Sequence, residues 1–113
     1  MFSLVMTALP DRETAGKVAR ELVDSGLAAC AQAFDCSSVY RWKGRLEEAS
    51  DVMLHVKTRS ALVAEVIERI VAMHPYELPE VASIRLDDGH LPYLEWIADV
   101  TQGDQQFEDR IGR

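Results

Sequence analysis

The N-terminal part of the chain carries an apolar block followed by an amphipathic one. The segment from Phe2 to Leu9 is mostly apolar and is followed by Pro10, a pattern typical of a buried strand. Apolar residues then recur at helical spacing among charged ones, namely at Ala15, Val18, Ala19, Leu22 and Val23. Asp11 is the predicted N-cap of this helix and Gly26 its predicted left-handed C-terminal cap. The pattern therefore predicts a strand and then a helix that packs one face on a sheet.

The segment from Leu27 to Thr58 has the pattern of a long β-hairpin. Its turn is predicted at Lys43 and Gly44, because glycine tolerates the positive φ that hairpin turns need. The returning strand alternates, with Val52, Leu54 and Val56 on one face and Met53, His55 and Lys57 on the other. Both predicted strands are longer than the usual length of about five or six residues. Two helices can therefore cover only part of this hairpin.

The remaining pattern predicts a second helix, a strand and a third helix. Ser60 is the predicted cap of the second helix, which runs to about Met73 and ends because Pro75 follows. Its apolar face consists of Leu62, Val63, Val66, Ile67, Ile70 and Val71. Prolines hold residues 76–80 extended, and a strand over Val81 to Leu86 follows. Pro92 suits the first turn of the last helix.

The order of these elements predicts the fold class. Strand, helix, strand, strand, helix, strand and a short helix form an α+β, ferredoxin-like split βαβ sandwich, with both main helices on one face of an antiparallel sheet. The 113 residues suit one domain, 1–113, in which about residues 102–113 form a polar tail. That tail either frays or adds an edge strand to a neighbouring molecule.

Charge and composition narrow the classes of partner. The formal net charge of −7 repels nucleic acid phosphates and anionic lipids, so neither nucleic acid nor membrane is an expected partner. The N-terminal apolar run has no basic stretch before it and stops at Pro10, so it predicts neither a signal peptide nor a membrane span. We therefore expect a cytoplasmic protein.

The residues give no complete catalytic set, so an enzyme is not predicted. Cys30 and Cys36 lack metal or redox spacing and are interpreted as buried, reduced thiols. The carboxylates near the hairpin, including Asp51, are interpreted as a solvated face. Among three histidines, His74 is the strongest candidate metal ligand, because Pro75 and Pro79 stiffen its backbone.

The predicted hairpin end carries apolar and aromatic residues that suit an interface. They are Val39, Tyr40, Trp42 and Leu46. Aromatic residues alternating with basic ones can also stack on single-stranded nucleic acid, but the net charge argues against that. A long exposed hairpin with aromatic residues favours packing on a second copy of the chain.

Several motifs together resemble one known family. In chain order they are Leu27-Ala28-Ala29-Cys30, Ser38 to Gly44 (SVYRWKG), Lys57-Thr58, His74-Pro75-Tyr76-Glu77, Pro79-Glu80 and Tyr93-Leu94-Glu95-Trp96. This ordered set, collinear from about Val5 to Val100, resembles the CutA family of divalent-cation tolerance proteins. The resemblance implies a ferredoxin-like fold and a homotrimer resembling the PII signalling proteins, whose long hairpins reach around the three-fold axis. It further implies an association with copper and other divalent cations, a cytoplasmic location and no enzymatic activity.

The resemblance also implies a metal site. Copper ligation in the family is attached to a Cys in the first strand and a His pair before Pro-Tyr. The matching positions here are Thr7 with Met6 before it, and Met73 with His74. Met6, Met73 and His74 are accordingly the candidate metal ligands, since thioethers suit Cu(I) and imidazole suits borderline ions.

The second hypothesis is a PII-like signalling or scaffold trimer that binds a small ligand or a partner loop in clefts between subunits. Its predicted cleft residues are Lys57, His74, Tyr76 and Glu80. A purely structural role remains open for them, with Lys57 and Glu80 as an inter-strand salt bridge and Tyr76 as a packed hinge.

Overall fold

The computed structural model describes residues 1–102, which form four strands and three α-helices. In chain order these are β1 (Phe2–Leu9), α1 (Arg12–Asp24), β2 (Cys30–Trp42), β3 (Arg45–Arg59), α2 (Val63–Met73), β4 (Val81–Leu86) and α3 (Leu91–Val100). A single 3-10 turn, Ser60–Leu62, joins β3 to α2. The predicted polar tail lies outside the described residues from position 103 onward.

The four strands form one antiparallel sheet in the order β2-β3-β1-β4. Strand β3 lies between β1 and β2, so the β1-α1-β2 unit is split by a strand that follows it in the chain. This is the split βαβ arrangement that the order of elements predicted.

Helices α1 and α2 pack on the same face of the sheet and enclose the core. Alternate residues of β1 and β3 point toward the helices, so their side chains are fully buried. The largest fully buried side chains of this core come from the strands, the two helices and the segment after α1; they are Leu9, Leu22, Leu27, Leu54, Ile70, Val5, Val18, Val56 and Val66. We call the other side of the sheet the open face. It carries Leu4, Met6, Met53 and His55, as strand alternation requires.

The predicted helix start and hairpin turn are confirmed. The carboxylate of Asp11 accepts a 2.7 Å hydrogen bond from the backbone N–H of Thr14, and this bond lowers the pKa of Asp11. At the hairpin turn, Lys43 has φ 51° and Gly44 has φ 78°. Two consecutive positive φ values are those of a type I′ turn, which matches the twist of the two strands.

The prediction that Ser60 caps the second helix was wrong. Ser60 begins the 3-10 turn, and α2 starts at Val63 without a side-chain cap. The Ser60 hydroxyl lies 2.6 Å from the hydroxyl of Ser3, which is buried on β1. The two hydroxyls bond one another because a buried hydroxyl needs a partner.

The hairpin has two parts that differ in their neighbours. From Val52 to Lys57, β3 pairs with β1 as well as with β2, and Thr58 and Arg59 pair with β1; we call the part from Val52 to Arg59 the hairpin base. From Cys36 to Asp51, the two strands pair only with each other among the described residues, and we call this part the hairpin tip. The two predicted long strands are confirmed at 13 and 15 residues.

None of the helices within residues 1–102 has the length and apolar character needed to cross a membrane.

Candidate functional site

His74 lies directly after α2, where the chain leaves helical geometry. Its ψ of 133° is extended because Pro75 follows it. Its Nε2 donates a hydrogen bond to the carbonyl oxygen of Ala8 at 2.7 Å. Its Nδ1 accepts one from the backbone N–H of Tyr76 at 3.2 Å. Since a carbonyl only accepts and an N–H only donates, these partners define a neutral ring with its proton on Nε2. A metal ion can bind His74 only by displacing one of these partners.

Tyr76 ties the segment after α2 to the beginning of the hairpin tip. Its hydroxyl donates a 2.8 Å hydrogen bond to Oδ1 of Asp51. Desolvation, followed by this hydrogen bond and the charge of Asp51, raises the pKa of Tyr76 to about 12. The phenol therefore stays protonated and donates to Asp51 at neutral pH.

Asp51 is a site residue that sequence reasoning missed. Asp51 was predicted to lie on a solvated face, but only 8% of its surface is exposed. The residues before it, Glu47 to Ser50, are mostly polar and resemble a surface segment. Its hydrogen-bond partner Tyr76 lies 25 positions away in the sequence. The two-residue alternation of β3 gave no signal for it, because Asp51 and Val52 are adjacent, lie on opposite faces of the strand and are both buried.

A groove of about 670 Å³ separates the hairpin tip from the segment after His74. We call it the tip groove. It is lined by Ala8, Ser37, Ser38, Val39, Tyr40, Arg41, Trp42, Asp51, Tyr76, Glu77, Leu78 and Glu80. Its lining brings together Tyr76 and Glu80 from the predicted cleft with Tyr40 and Trp42 from the predicted interface. At its outer end, Lys43 Nζ lies 3.4 Å from the Glu77 carboxylate.

Lys57 does not join the other predicted cleft residues within one chain. It lies six positions beyond Asp51 on β3, a separation of about 20 Å at the usual rise per residue. Its Nζ lies 5.6 Å from the centre of the Tyr93 ring on α3. Lys57 therefore does not line the groove that Tyr76 and Glu80 share.

The three predicted metal ligands are not brought together either. Met73 packs against the core on the helix side of the sheet. Met6 points to the open face, because its neighbours Val5 and Thr7 point into the core. Within residues 1–102, no group of three or more His, Cys, Asp or Glu side chains could hold a metal ion. The proposed copper ligand set of Met6, Met73 and His74 thus does not fit the geometry of one chain.

The predicted interface residues lie on the hairpin tip and are accessible in the single chain. Val39 is 65% exposed, Tyr40 47% and Leu46 66%. Trp42 is half-buried, and Lys43 Nζ lies 5.4 Å from the centre of its ring. A packed interface on these residues stays a prediction.

Comparison with known proteins identifies the family. The chain matches the family model described as CutA1 divalent ion tolerance protein over residues 3–100. It is 38% identical over 99 residues to the divalent-cation tolerance protein CutA of Pyrococcus horikoshii, a match that covers 88% of this chain and 97% of that protein. It is 37% identical over 101 residues to Protein CutA of Homo sapiens, covering 88% of this chain but only 56% of the human protein. The chain thus spans little more than half the length of that relative.

The fold is that of the same family. The solved structure of the periplasmic divalent cation tolerance protein CutA from Archaeoglobus fulgidus is 33% identical and has a TM-score of 0.88. The match covers 90% of this chain and 100% of that one. Because the family model, the relatives and the structure all match most of its length, the chain belongs to the CutA1 family of divalent ion tolerance proteins.

Proposed function

We propose that this chain contributes to divalent-cation tolerance as a non-enzymatic subunit of a homotrimer that binds copper or another divalent ion where subunits meet. The observation that carries the proposal is the family match over residues 3–100. The family is described by divalent ion tolerance and not by a reaction, which supports a binding role.

The tip groove supports a site between subunits. Asp51, Glu77 and Glu80 contribute carboxylates to it, and His74 lies beside it through its contact with Tyr76. Carboxylate and imidazole suit divalent ions. One chain leaves this ligand set incomplete, because both nitrogens of His74 are occupied by Ala8 and Tyr76. A neighbouring subunit would supply the missing ligands.

The hairpin tip supports the homotrimer. Its strands pair only with each other in the described chain, and its large apolar side chains are exposed. Long strand edges and exposed apolar patches are surfaces that proteins use to associate. The cytoplasmic location also stays a proposal, because the solved relative from Archaeoglobus fulgidus is described as periplasmic. The expectation that neither nucleic acid nor a membrane is a partner is likewise a proposal.

Native mass spectrometry during titration with Cu(II) and Zn(II) tests the proposal. We expect a trimer that binds ions and loses them in His74→Ala. His90→Ala is the matched control and should keep the bound ions, because His90 lies at the start of α3 and does not line the groove. A trimer that binds no divalent ion contradicts the metal part of the proposal, and a monomer contradicts the assembly part.

The second candidate is a PII-like signalling or scaffold trimer that binds a small ligand or a partner loop in the same groove. The observation that favours it is the lining, in which Tyr40, Trp42 and Tyr76 accompany a few carboxylates. The volume of about 670 Å³ lies within the range of small-molecule sites. A thermal-shift screen separates the candidates, because a ligand of the native state raises the melting temperature. A shift with nucleotides or metabolites, but not with metal ions, would favour this one.

A further inference from the structure

The lining of the tip groove combines aromatic rings with carboxylates. These side chains are Tyr40, Trp42, Tyr76, Asp51, Glu77 and Glu80. The face of an aromatic ring carries partial negative charge and attracts cations, most strongly those that are weakly hydrated. A carboxylate adds a full charge. The lining therefore suits a cation that also presents apolar surface, as an aliphatic ammonium compound does.

An ammonium group of the chain itself already occupies part of this lining. Lys43 Nζ lies 5.4 Å from the centre of the Trp42 ring and 3.4 Å from the Glu77 carboxylate. The side chains of Lys43 and Glu77 are both largely exposed, so this ion pair is weak. The ring and the carboxylate thus form a position for an ammonium group, and a ligand can displace Lys43 from it at little cost.

Asp51 provides a second position for a cation in the same groove. It is only 8% exposed, and its Oδ1 accepts a hydrogen bond from the neutral hydroxyl of Tyr76. Within residues 1–102, no basic side chain forms an ion pair with Asp51 or with Glu80. A buried carboxylate without a counter-charge is costly, so a bound cation would stabilise it.

The charges around the groove favour a cation over an anion. One basic residue, Arg41, also lines the groove, but its Nη1 donates to the carbonyl oxygen of Gly44 at 3.4 Å and is therefore directed toward the hairpin turn. Three carboxylates outnumber this one guanidinium in the lining. The formal net charge of −7 adds a long-range attraction for cations.

We propose that the tip groove binds a linear aliphatic polyamine. One ammonium group replaces Lys43 Nζ between Trp42 and Glu77, and another pairs with Asp51. The methylene chain between them lies against the aromatic rings of the lining. The inference rests on the second candidate function, a small ligand in this groove, and names the chemical class of that ligand.

Isothermal titration calorimetry on the metal-free full chain tests the proposal at constant ionic strength. The probes are 1,4-diaminobutane and spermidine, with butylamine as the control that carries a single ammonium group. We expect butylamine to bind at least about tenfold more weakly, because it can fill only one of the two positions. No binding of either polyamine, or equal affinity for butylamine and 1,4-diaminobutane, overturns the proposal.

Variants of the lining should change the affinity for 1,4-diaminobutane in opposite directions. Trp42→Leu and Glu80→Gln should each weaken binding by about fivefold, since each removes one attraction for an ammonium group. Lys43→Asn should strengthen it by about threefold, because it removes the competing ammonium group. Asparagine tolerates the positive φ of position 43, so the turn is kept. A gain of affinity cannot result from poor folding, and unchanged affinity in Lys43→Asn and Trp42→Leu contradicts the proposal.

Matched variants outside the groove separate a built site from general attraction to an acidic protein. Lys17→Gln and Glu95→Gln make the same changes of charge on α1 and α3, and Trp96→Leu removes an exposed tryptophan of α3. All three should bind 1,4-diaminobutane like the unmodified chain. Changes in these variants as large as those in the lining variants would show that binding follows net charge alone and would overturn the site.

Divalent-ion binding, measured separately by native mass spectrometry, keeps this inference distinct from the proposed function. Trp42→Leu should retain bound Zn(II), because an indole ring is not a metal ligand. Ion binding without any polyamine binding would remove only the present inference. Polyamine binding by a chain that takes up no divalent ion would support it and contradict the metal part of the proposed function.

Discussion

The base and the tip of the hairpin are made of the same two strands but have opposite surroundings. In the base, Val52, Leu54 and Val56 are at most 5% exposed, since α1 packs over β3 and β1 pairs alongside it. In the tip, Val39 and Leu46 are 65% and 66% exposed. The base is therefore held by packing within the chain, while the tip is held by its own ladder and turn. Apolar residues stabilise the folded chain in the base and are available to a partner in the tip.

The largest expected difference between the base and the tip is in the stability lost when one apolar side chain of each part is shortened to alanine. Leu54→Ala should lower the free energy of unfolding by about 2–5 kcal/mol, because it leaves a cavity in a fully packed core. Leu46→Ala should change it by no more than about 0.5 kcal/mol in the isolated chain, since little packing is lost there. Urea denaturation of both variants at one low protein concentration measures the difference. Similar losses for the two variants would show that the tip is also packed in solution.

The second prediction tests hydrogen bonding within the base. Thr58 donates a buried 2.6 Å hydrogen bond to the carbonyl oxygen of Leu27, so Thr58→Val should destabilise the fold by about 1–3 kcal/mol. Thr7 is equally buried, but its hydroxyl has no hydrogen-bond partner within residues 1–102. Thr7→Val should therefore stabilise the fold, by about 1 kcal/mol. Thermal unfolding of the two matched variants checks the opposite signs, and a loss of stability in Thr7→Val would reveal a partner for that hydroxyl.

The smallest effect is expected at Tyr76, where the base meets the tip. Its pKa is raised from 10.0 to about 12, so the folded chain favours the protonated phenol. This contribution is complete below pH 10 and is lost as the pH rises toward 12. Because Tyr76 is 40% exposed, solvent screening should keep the loss below about 1 kcal/mol. The urea concentration at the midpoint of unfolding, measured at several pH values in this range, should fall more steeply with pH in the unmodified chain than in Tyr76→Phe. Equal slopes in the two proteins would exclude a contribution of protonated Tyr76 to stability.

Local patterns predicted the elements well because their causes are local. The bounds of β1 follow from one apolar run and a proline, and the Asp11 cap follows from a side chain three positions before its donor, Thr14. The alternation of β3 also identified its buried face. Such signals need no knowledge of the rest of the chain.

The site was harder to predict because its contacts join distant positions. Nothing near Asp51 in the sequence indicates that Tyr76 will cover it. The sequence does not show which face of β1 carries Met6, because apolar residues occur on both faces of this strand. Met73 and Met6 were grouped by resemblance, whereas the register of β1 and β3 groups Met6 with Met53 and His55.

The central position of β1 has a consequence for synthesis of the chain. Both partners of β1 follow it in sequence, since β3 begins at Arg45 and β4 at Val81. At about 5–20 residues per second, the ribosome needs a few seconds to release β3 after β1. During that time an apolar strand with two unpaired edges is exposed, and such a segment can pair with strands of other chains. The nascent chain is therefore most prone to aggregate before β3 emerges, when α1 is complete but has no sheet to pack against.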